Sequence, residues 1–256
     1  MIVDAVSVIP EVFGPYVDAS ILGRAQKAGL LEFRAHDLRE WTHDRHRTVD
    51  DAPFGGGPGM LMKPAPIFEA VRAVQELGPV PAHVVFFSPC GKPFDQAAAE
   101  RLSREERLLF VCGRYEGMDE RAYSLADEVL SLGDYVLTGG ELAALTVTDA
   151  AVRLIPGVLG GEGSADEESF SEGLLEFEQY TRPAVFEGMA VPDVLLSGDH
   201  GRIKEWRRSS ALERTYRWRP DLLETAPLSE KDRDLLADIA AGLEDENPTG
   251  PRETCS

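Results

Sequence analysis

The sequence predicts an α/β protein, with a largely parallel sheet in its first 160 residues and a small, mainly helical domain after them. Three observations support this fold class. Short apolar runs alternate with helical patterns, which is the rhythm of βα units around a parallel sheet. Three successive strand-like runs end in polar loops that contain glycine. From Gly160 to Glu172 the apolar periodicity disappears, and a turn-rich opening and then helical patterns follow it.

The βα rhythm assigns the elements of the first half in order. Strands are expected at Ile2 to Val8, Leu31 to Asp37 and His83 to Ser88, because these are short apolar runs between helical patterns. Helices are expected at Val12 to Ala28 and Pro66 to Leu77, where apolar residues recur at helical spacing.

Two further strands, Leu108 to Cys112 and Glu128 to Leu132, run into the glycine-containing loops CGRYEGMDER and GDYVLTGGELAAL, and the second loop leads into a helix through Ala151. In open α/β sheets, ligands bind at the carboxyl ends of the strands. A pocket is therefore expected where the strands near residues 83–88, 108–112 and 128–132 end. Glycine permits close backbone approach, and Tyr and Leu supply apolar walls, which suits an adenosine-containing ligand.

The chain divides into four predicted regions: an α/β domain at 1–160, a flexible linker at 161–172, a mainly helical domain at 173–246 and a disordered tail at 247–256. Helical patterns occupy Arg202 to Arg217 and Ser229 to Leu243. Ser229 followed by Asp232 resembles a helix N-terminus. Trp206 and Trp218 are expected to pack in the core of this domain.

The charge distribution leaves two interpretations open. A net charge of −19 argues against a nucleic-acid partner, because phosphate contacts need Lys and Arg. The segment from His200 to Arg219, however, carries seven basic residues against two acidic ones. It is either a solvated surface or a local RNA-binding face. The basic residues are Arg202, Lys204, Arg207, Arg208, Arg214, Arg217 and Arg219.

Cysteine usage and hydropathy limit the class of protein further. The three cysteines lack close paired spacing, so we expect reduced thiols and assign no metal site. The chain shows neither a signal peptide nor an apolar run near membrane-spanning length, so we expect a cytoplasmic protein without a membrane partner. The glycine segment from Phe54 to Met60 lacks the Lys and Ser/Thr of a P-loop, which disfavours phosphotransfer.

Six ordered strings resemble the bacterial tRNA (guanine-N1)-methyltransferase family of the SPOUT superfamily, over Met1 to about Leu223. They are HDRHRTVDDAPFGGGPGM, CGRYEGMDER, GDYVLTGGELAA, IPGVLG, YTRP and VPDVLLSGDH. The resemblance implies a SPOUT-type α/β domain with a C-terminal trefoil knot, an exception to the rule that chains do not thread loops. It also implies a homodimer with active sites at the subunit interface.

The implied reaction is methylation of N1 of the guanine that follows the anticodon (tRNA nucleotide 37), with S-adenosyl-L-methionine as cofactor and the tRNA anticodon stem-loop as partner. A requirement for Mg²⁺ is not readable from the sequence. The cofactor-binding residues implied are Ser88, Pro89, Gly113, Leu132, Gly133, Asp134, Tyr135, Val136, Leu137 and Gly140. The residues expected to contact tRNA are Asp50, Gly59, Arg202, Arg207 and Arg208.

Three residues are expected to act in catalysis. Guanine N1 must lose its proton before it can attack, and negative charge then develops toward O6. Arg153 matches the family's catalytic arginine, and its guanidinium would stabilise that charge; its alternative is a helix-end surface residue. Glu116 matches a carboxylate near the cofactor and the target base, with a loop-stabilising acceptor as the alternative.

The expected base departs from the family pattern. The family has Asp directly before a Ser-Phe or Ser-His pair, whereas Glu168 precedes Ser169-Phe170 here. Glu168 is our predicted base, and Asp166 is the alternative through a shifted loop. The linker acids could instead only keep the linker soluble. The substitution also leaves open a catalytically inactive, knotted tRNA-binding protein.

Overall fold

The structure, a computed structural model, describes residues 1–160 and 168–246. The chain divides into two compact units, residues 1–162 and 163–256, and the boundary falls inside the predicted linker. Linker residues 161–167 and the predicted tail, 247–256, lie outside the described residues. Each unit is considered by itself below.

A five-stranded parallel sheet organises the first unit, as the sequence predicts. Its strand order is β2-β1-β6-β5-β7, and every pairing in it is parallel. Two short strands, β3 and β4, form a separate antiparallel ladder. The strands are β1 (Ile2–Ser7), β2 (Glu32–Asp37), β3 (Asp50–Asp51), β4 (Leu61–Met62), β5 (His83–Pro93), β6 (Arg107–Val111) and β7 (Glu128–Ser131).

Helices cover both faces of this sheet. They are α1 (Gly14–Val17), α2 (Ser20–Lys27), α3 (Pro64–Glu76), α4 (Gln96–Leu102) and α5 (Glu141–Val152), with 3-10 turns at Pro10–Val12, Leu38–Trp41 and Glu120–Leu125. Along β6, Leu108 and Phe110 join one core cluster while Leu109 and Val111 join the other. Both faces are therefore buried, as parallel sheets require.

The predicted continuous helix from Val12 to Ala28 is wrong. The chain forms α1 and α2 with a break between them, at which Ser20 adopts a positive φ of 45°. The Asp18 carbonyl turns toward Gly23, where a Cβ would lie only 2.1 Å from the oxygen. The sequence prediction also lacked α4, which is a short helix. The Asp95 side chain caps α4 by accepting a hydrogen bond from the Ala98 N–H at 2.8 Å.

An ion pair is buried at the amino end of β6. The Arg107 guanidinium donates to Asp4 at 2.8 Å and to the carbonyls of Gln75 and Val80 at 3.0 and 3.1 Å. Both side chains of the pair are fully buried. These hydrogen bonds offset the cost of removing the two charges from water, and they tie the sheet to the end of α3.

The second unit is mainly helical. It contains α6 (Asp193–Leu196), α7 (His200–Trp218), α8 (Pro220–Leu223) and α9 (Glu230–Glu246), preceded by a hairpin of β8 (Val185–Phe186) and β9 (Met189–Ala190). Ser229 and Asp232 do cap α9: the Ser229 hydroxyl accepts from the Asp232 N–H at 3.1 Å, and Asp232 accepts from the Ser229 N–H at 2.9 Å.

The core assignment of Trp218 is wrong. Its side chain is 72% exposed, because it is the last residue of α7 and the chain turns away at Arg219. Trp206 is half-buried and packs 6.3 Å from the Tyr180 ring. Within residues 1–160 and 168–246, none of the helices combines the length and the apolarity that a membrane span needs.

Candidate active site at the carboxyl edge of the sheet

Three loops at the carboxyl edge of the sheet enclose one cavity, as the strand pattern predicts. The first is an irregular segment within β5. Phe87 and Lys92 both pair with Leu130 of β7, so residues 88–91 project from the ladder. Gly91 lies against β7, where a Cβ would come within 2.5 Å of the Leu130 backbone. Only glycine permits this close approach.

The second loop follows β6 and forms a tight turn. The Gly117 N–H donates to the Arg114 carbonyl at 3.1 Å, and Tyr115 adopts a positive φ of 59°. This turn leaves the side chains of Tyr115 and Glu116 exposed. The backbone of Glu116 is held in place, because its N–H donates to the Met60 carbonyl at 3.0 Å.

The third loop follows β7 and returns to the end of β6. The Gly140 N–H donates to the Gly113 carbonyl at 2.9 Å, and Arg114 and Gly139 form an antiparallel bridge. A Cβ at Gly140 would lie 2.9 Å from the Cα of Cys112. The second and third loops are therefore held together by backbone contacts that glycine allows.

The cavity brings together most of the residues that the sequence assigns to the cofactor. Asp134 is the one that does not line it. The lining residues predicted from the sequence are Ser88, Pro89, Gly113, Leu132, Gly133, Tyr135, Val136, Leu137 and Gly140, together with Glu116. Further lining residues that the sequence prediction missed are Phe87, Arg114, Tyr115, Gly117, Met118, Tyr123, Leu130, Ser131, Thr138, Gly139 and Ala143.

Tyr123 lines the cavity, although it belongs to none of the sequence motifs. It lies in the 3-10 turn at Glu120–Leu125, and its ring packs 5.5 Å from that of Phe86. Burial raises the pKa of the Tyr123 phenol, and its hydrogen bond with Ser88 acts in the opposite direction. The phenol therefore stays neutral and able to donate a hydrogen bond at physiological pH.

The β3–β4 ladder supports the Glu116 side of the cavity. Asp50 pairs with Met62, whose N–H donates to the Gly117 carbonyl at 2.9 Å. Gly59 adopts a φ of 77°, and a Cβ there would lie 2.2 Å from Cγ of Glu116. Gly59 is thus in direct contact with Glu116, which explains why the glycine-rich segment needs a glycine at this position.

A buried polar cluster lies beneath the cavity. Glu141 accepts from the Ser7 hydroxyl at 2.6 Å and pairs with the Arg114 Nε at 3.4 Å. Glu141 is only 4% exposed, and it is the first residue of α5. Burial, followed by the charge of Glu141, raises the pKa of the Cys112 thiol well above its usual range. Cys112 is therefore an unreactive core thiol.

Arg153 is not brought to this cavity by its own chain. It caps the carboxyl end of α5, whereas Ala143 near the other end lines the cavity. Ten helical residues separate the two positions, which corresponds to about 15 Å along the helix axis.

The basic candidates of the second unit differ in their surroundings. Arg202 is exposed in the first turn of α7. The Arg207 guanidinium lies over the Phe177 ring, 4.6 Å from its centroid. Arg208 is already engaged, since it donates two hydrogen bonds of 2.9 Å to Asp232 and one of 3.0 Å to Glu172.

The predicted base lies at the start of the described part of the second unit. The Glu168 carbonyl accepts from the Ser171 N–H at 3.2 Å and from its hydroxyl at 2.7 Å. Ser169 accepts from the Glu176 N–H at 3.0 Å. The segment after residue 167 is therefore a hydrogen-bonded turn. The alternative base, Asp166, lies outside the described residues.

The chemistry available in the cavity is that of binding an apolar, hydrogen-bonding ligand. Its lining combines glycine backbone with Leu132, Val136 and Leu137, which suits the edge and faces of a nucleoside. Among the described residues, no group of three or more His, Cys, Asp or Glu side chains is placed to hold a metal ion. Glu116 is the carboxylate that faces the cavity.

Comparison with known proteins agrees with this geometry. A family model described as tRNA (Guanine-1)-methyltransferase TrmD matches residues 1–225. The chain is 52% identical over 245 residues to the tRNA (guanine-N(1)-)-methyltransferase of Dictyoglomus turgidum, covering 95% of this chain and 98% of that one. It is 53% identical over 240 residues to the enzyme of that name from Syntrophotalea carbinolica, covering 93% and 96% of the two chains.

Proposed function

Because this chain belongs to the tRNA (guanine-1)-methyltransferase family, we propose that it transfers a methyl group to N1 of a guanine in tRNA. The observation that carries the proposal is the cavity at the carboxyl edge of the sheet, which gathers nine of the ten predicted cofactor residues and Glu116.

The cavity fits S-adenosylmethionine as the methyl donor. The close contacts at Gly113 and Gly140 keep the backbone open for hydrogen bonds to an adenine edge, since a Cβ at either position would come within 3.2 Å of neighbouring atoms. Leu132, Val136 and Leu137 offer apolar surface to the ring. When bound, this cofactor supplies an electrophilic methyl group on a sulfonium sulfur. Asp134, which does not line the cavity, has no place in this proposal.

The protein's own groups would prepare the guanine. Glu168 removes the N1 proton, so that N1 becomes nucleophilic. Arg153 places its guanidinium against O6 and stabilises the charge that develops there. Glu116, which lines the cavity, orients the base edge near the donor. Transfer is then direct, without a covalent enzyme intermediate.

A homodimer completes this site. The distance of Arg153 from the cavity of its own chain supports an active site shared between two subunits. Apolar side chains beside the cavity also remain uncovered in one chain: Val136 is 88% exposed and Leu142 is 61% exposed. Large exposed apolar side chains that cluster in this way favour a protein–protein contact.

A trefoil knot accounts for the path of the chain between β7 and α5. The chain leaves β7, an edge strand, yet α5 begins against Ser7 of β1 on the other side of β5 and β6. The intervening segment bonds to Gly113 at the end of β6. A chain that doubles back across two strands in this way is consistent with the threading that the family resemblance implies.

The helical unit would hold the anticodon stem-loop, with the guanine after the anticodon as target. Arg202 is the best-placed phosphate contact, because it is exposed and forms no ion pair in the part of the chain that the structure describes. Arg207 is a second candidate, and Asp50 and Gly59 contact the substrate from the first unit. Arg208 is engaged within the fold by its ion pairs with Asp232 and Glu172. The cytoplasmic location stays a prediction.

The decisive experiment is methyl transfer from labelled S-adenosylmethionine to tRNA transcripts that carry guanine or adenine at nucleotide 37. We expect transfer only to guanine, and its location at N1 is checked by mass spectrometry of the nucleosides. Addition of EDTA tests the Mg²⁺ requirement. A wild-type protein that binds tRNA without turnover would overturn the enzyme and establish the inactive binding protein instead.

A further inference from the structure

Glu141 is a buried carboxylate that does not line the cavity, although Gly140 and Ala143 do. Burial of a charged carboxylate costs several kcal/mol unless partners compensate for it. Two partners do so here: the Ser7 hydroxyl at 2.6 Å and the Arg114 guanidinium at 3.4 Å. Its position in the first turn of α5 adds a favourable interaction with the helix dipole.

The partners of Glu141 belong to separate segments that meet under the cavity. Ser7 ends β1, and Arg114 begins the turn that carries Glu116. Gly139 lies between Glu141 and Arg114, because a Cβ there would come within 2.3 Å of the Glu141 Oε2 and 3.0 Å of the Arg114 Cγ. The carboxylate therefore packs directly against the backbone bridge that joins the second and third loops.

We propose that Glu141 is a positioning residue for the cofactor: its carboxylate, held by Ser7, sets the distance between the turn at 113–117 and the segment at 139–140. The inference rests on the proposed function, because it concerns the same cavity. Both segments line the cavity, so a change in their spacing alters the ligand site, although Glu141 itself does not touch the ligand.

The ion pair with Arg114 requires the negative charge of the Glu141 carboxylate. The Arg114 side chain is 28% exposed, so it keeps access to water when its partner is neutralised. Glu141→Gln preserves shape and an acceptor for Ser7 but removes the ion pair. The fold should therefore survive this change while the grip on Arg114 is lost. Ser7→Ala removes the other partner and should act in the same direction.

The test compares wild type, Glu141→Gln, Ser7→Ala and a control, Glu76→Gln, which changes an exposed glutamate at the end of α3. For Glu141→Gln we expect the KM and the calorimetric Kd for S-adenosylmethionine to rise about tenfold, in line with the loss of a hydrogen bond to a charged group. The KM for tRNA should stay at the wild-type value, and the unfolding midpoint should fall only slightly, because neutralising the buried carboxylate also removes the cost of burying its charge. The control should match wild type throughout.

Hydrogen exchange of the cofactor-free protein provides a readout that does not depend on activity. Faster exchange of the amides at 113–117 and 139–141 in Glu141→Gln, with unchanged exchange in α3, is expected. Wild-type exchange and cofactor affinity in the variant would overturn the positioning role while leaving the proposed function intact. Wild-type protein that neither binds the cofactor nor transfers methyl groups would instead overturn the proposed function, and with it the role of Glu141 toward a cofactor.

Discussion

Replacement of Arg208 separates two roles that the basic stretch allows. The sequence suggests a phosphate contact, but in the structure Arg208 donates two hydrogen bonds to Asp232, which is 7% exposed. Asp232 also accepts from the backbone N–H of Ser229 and so caps α9. We therefore expect Arg208→Ala to loosen the attachment of α9 to α7 in the full-length protein.

The magnitude follows from the groups left behind. Hydrogen bonds to charged groups contribute about 1.5–3 kcal/mol each, and a cap contributes about 1 kcal/mol. Arg208 is one-third exposed and its removal leaves the cap intact, so we expect a loss of about 2 kcal/mol for Arg208→Ala after a discount for solvent. Asp232→Ala removes both the ion pair and the cap, and we expect about 3 kcal/mol.

The pH dependence has a definite sign. The Arg208 guanidinium, with further hydrogen bonds from Ser229, holds the pKa of Asp232 far below its usual range. A group whose pKa is lowered by folding stabilises the fold fully above its unfolded pKa of about 3.9 and loses this contribution as the pH falls below it. The stability difference between wild type and Asp232→Ala should therefore be constant at neutral pH and shrink below about pH 4.

The assay is hydrogen exchange of the α7 and α9 amides, which reports local opening free energies in the intact chain. Arg202→Ala, a change to an exposed arginine on the same helix, is the matched control. It should leave exchange unchanged but weaken tRNA binding and lower the salt slope by about one. Unchanged protection of α9 in Arg208→Ala, together with a lowered salt slope, would refute the structural role and make Arg208 a phosphate contact.

Three further predictions concern the first unit and the linker. Glu168→Gln should abolish methyl transfer while Glu168→Asp retains it in single-turnover assays, because only a carboxylate can accept the proton; activity in the Gln variant would place the base elsewhere. A thiol reagent at pH 8 should modify the exposed Cys90 and spare Cys112, because burial raises the pKa of the Cys112 thiol. Peptide mass mapping would show this difference, and equal labelling of the two cysteines would contradict it. Gly139→Ala should weaken cofactor binding about tenfold in calorimetry, because the added Cβ would lie 2.3 Å from a carboxylate oxygen of Glu141. Gly160→Ala, whose Cβ would have no atom within 4 Å, should not weaken it. Equal cofactor affinities of the two variants would contradict this prediction.

The sequence was sufficient for the five-stranded sheet and for the edge of that sheet at which the cavity lies. The β6 segment reads as an uninterrupted apolar run because both of its faces are buried, and glycine follows it at Gly113 because two loops meet there. Such features are local in the chain. The break between α1 and α2 was missed because it depends on one carbonyl turned toward Gly23, which helical periodicity does not record.

The missed site residues share a different cause. Tyr123 reaches the cavity from a short 3-10 turn without any motif, and its wall role depends on Phe86 and Ser88 from another strand. Glu141 reads as an ordinary first-turn acid, and its burial arises only when Ser7, 134 residues away in the chain, comes to meet it. Residues of this kind are defined by neighbours that are distant in sequence, so patterns along the chain do not reveal them.

The same limit applies to the charge of the second unit, because the sequence does not reveal which of its basic residues are paired with carboxylates. Arg208, Arg217 and Arg219 each pair with a carboxylate, so the seven basic residues of the stretch overstate its available charge. Arg202 and Lys204 form no ion pair within the described ranges. A helix that offers so few free cations neutralises few phosphates, and affinity for RNA rises with that number. In a chain of net charge −19, the proposed tRNA contact would then need cations from outside this helix, which the proposed site shared between two subunits would supply.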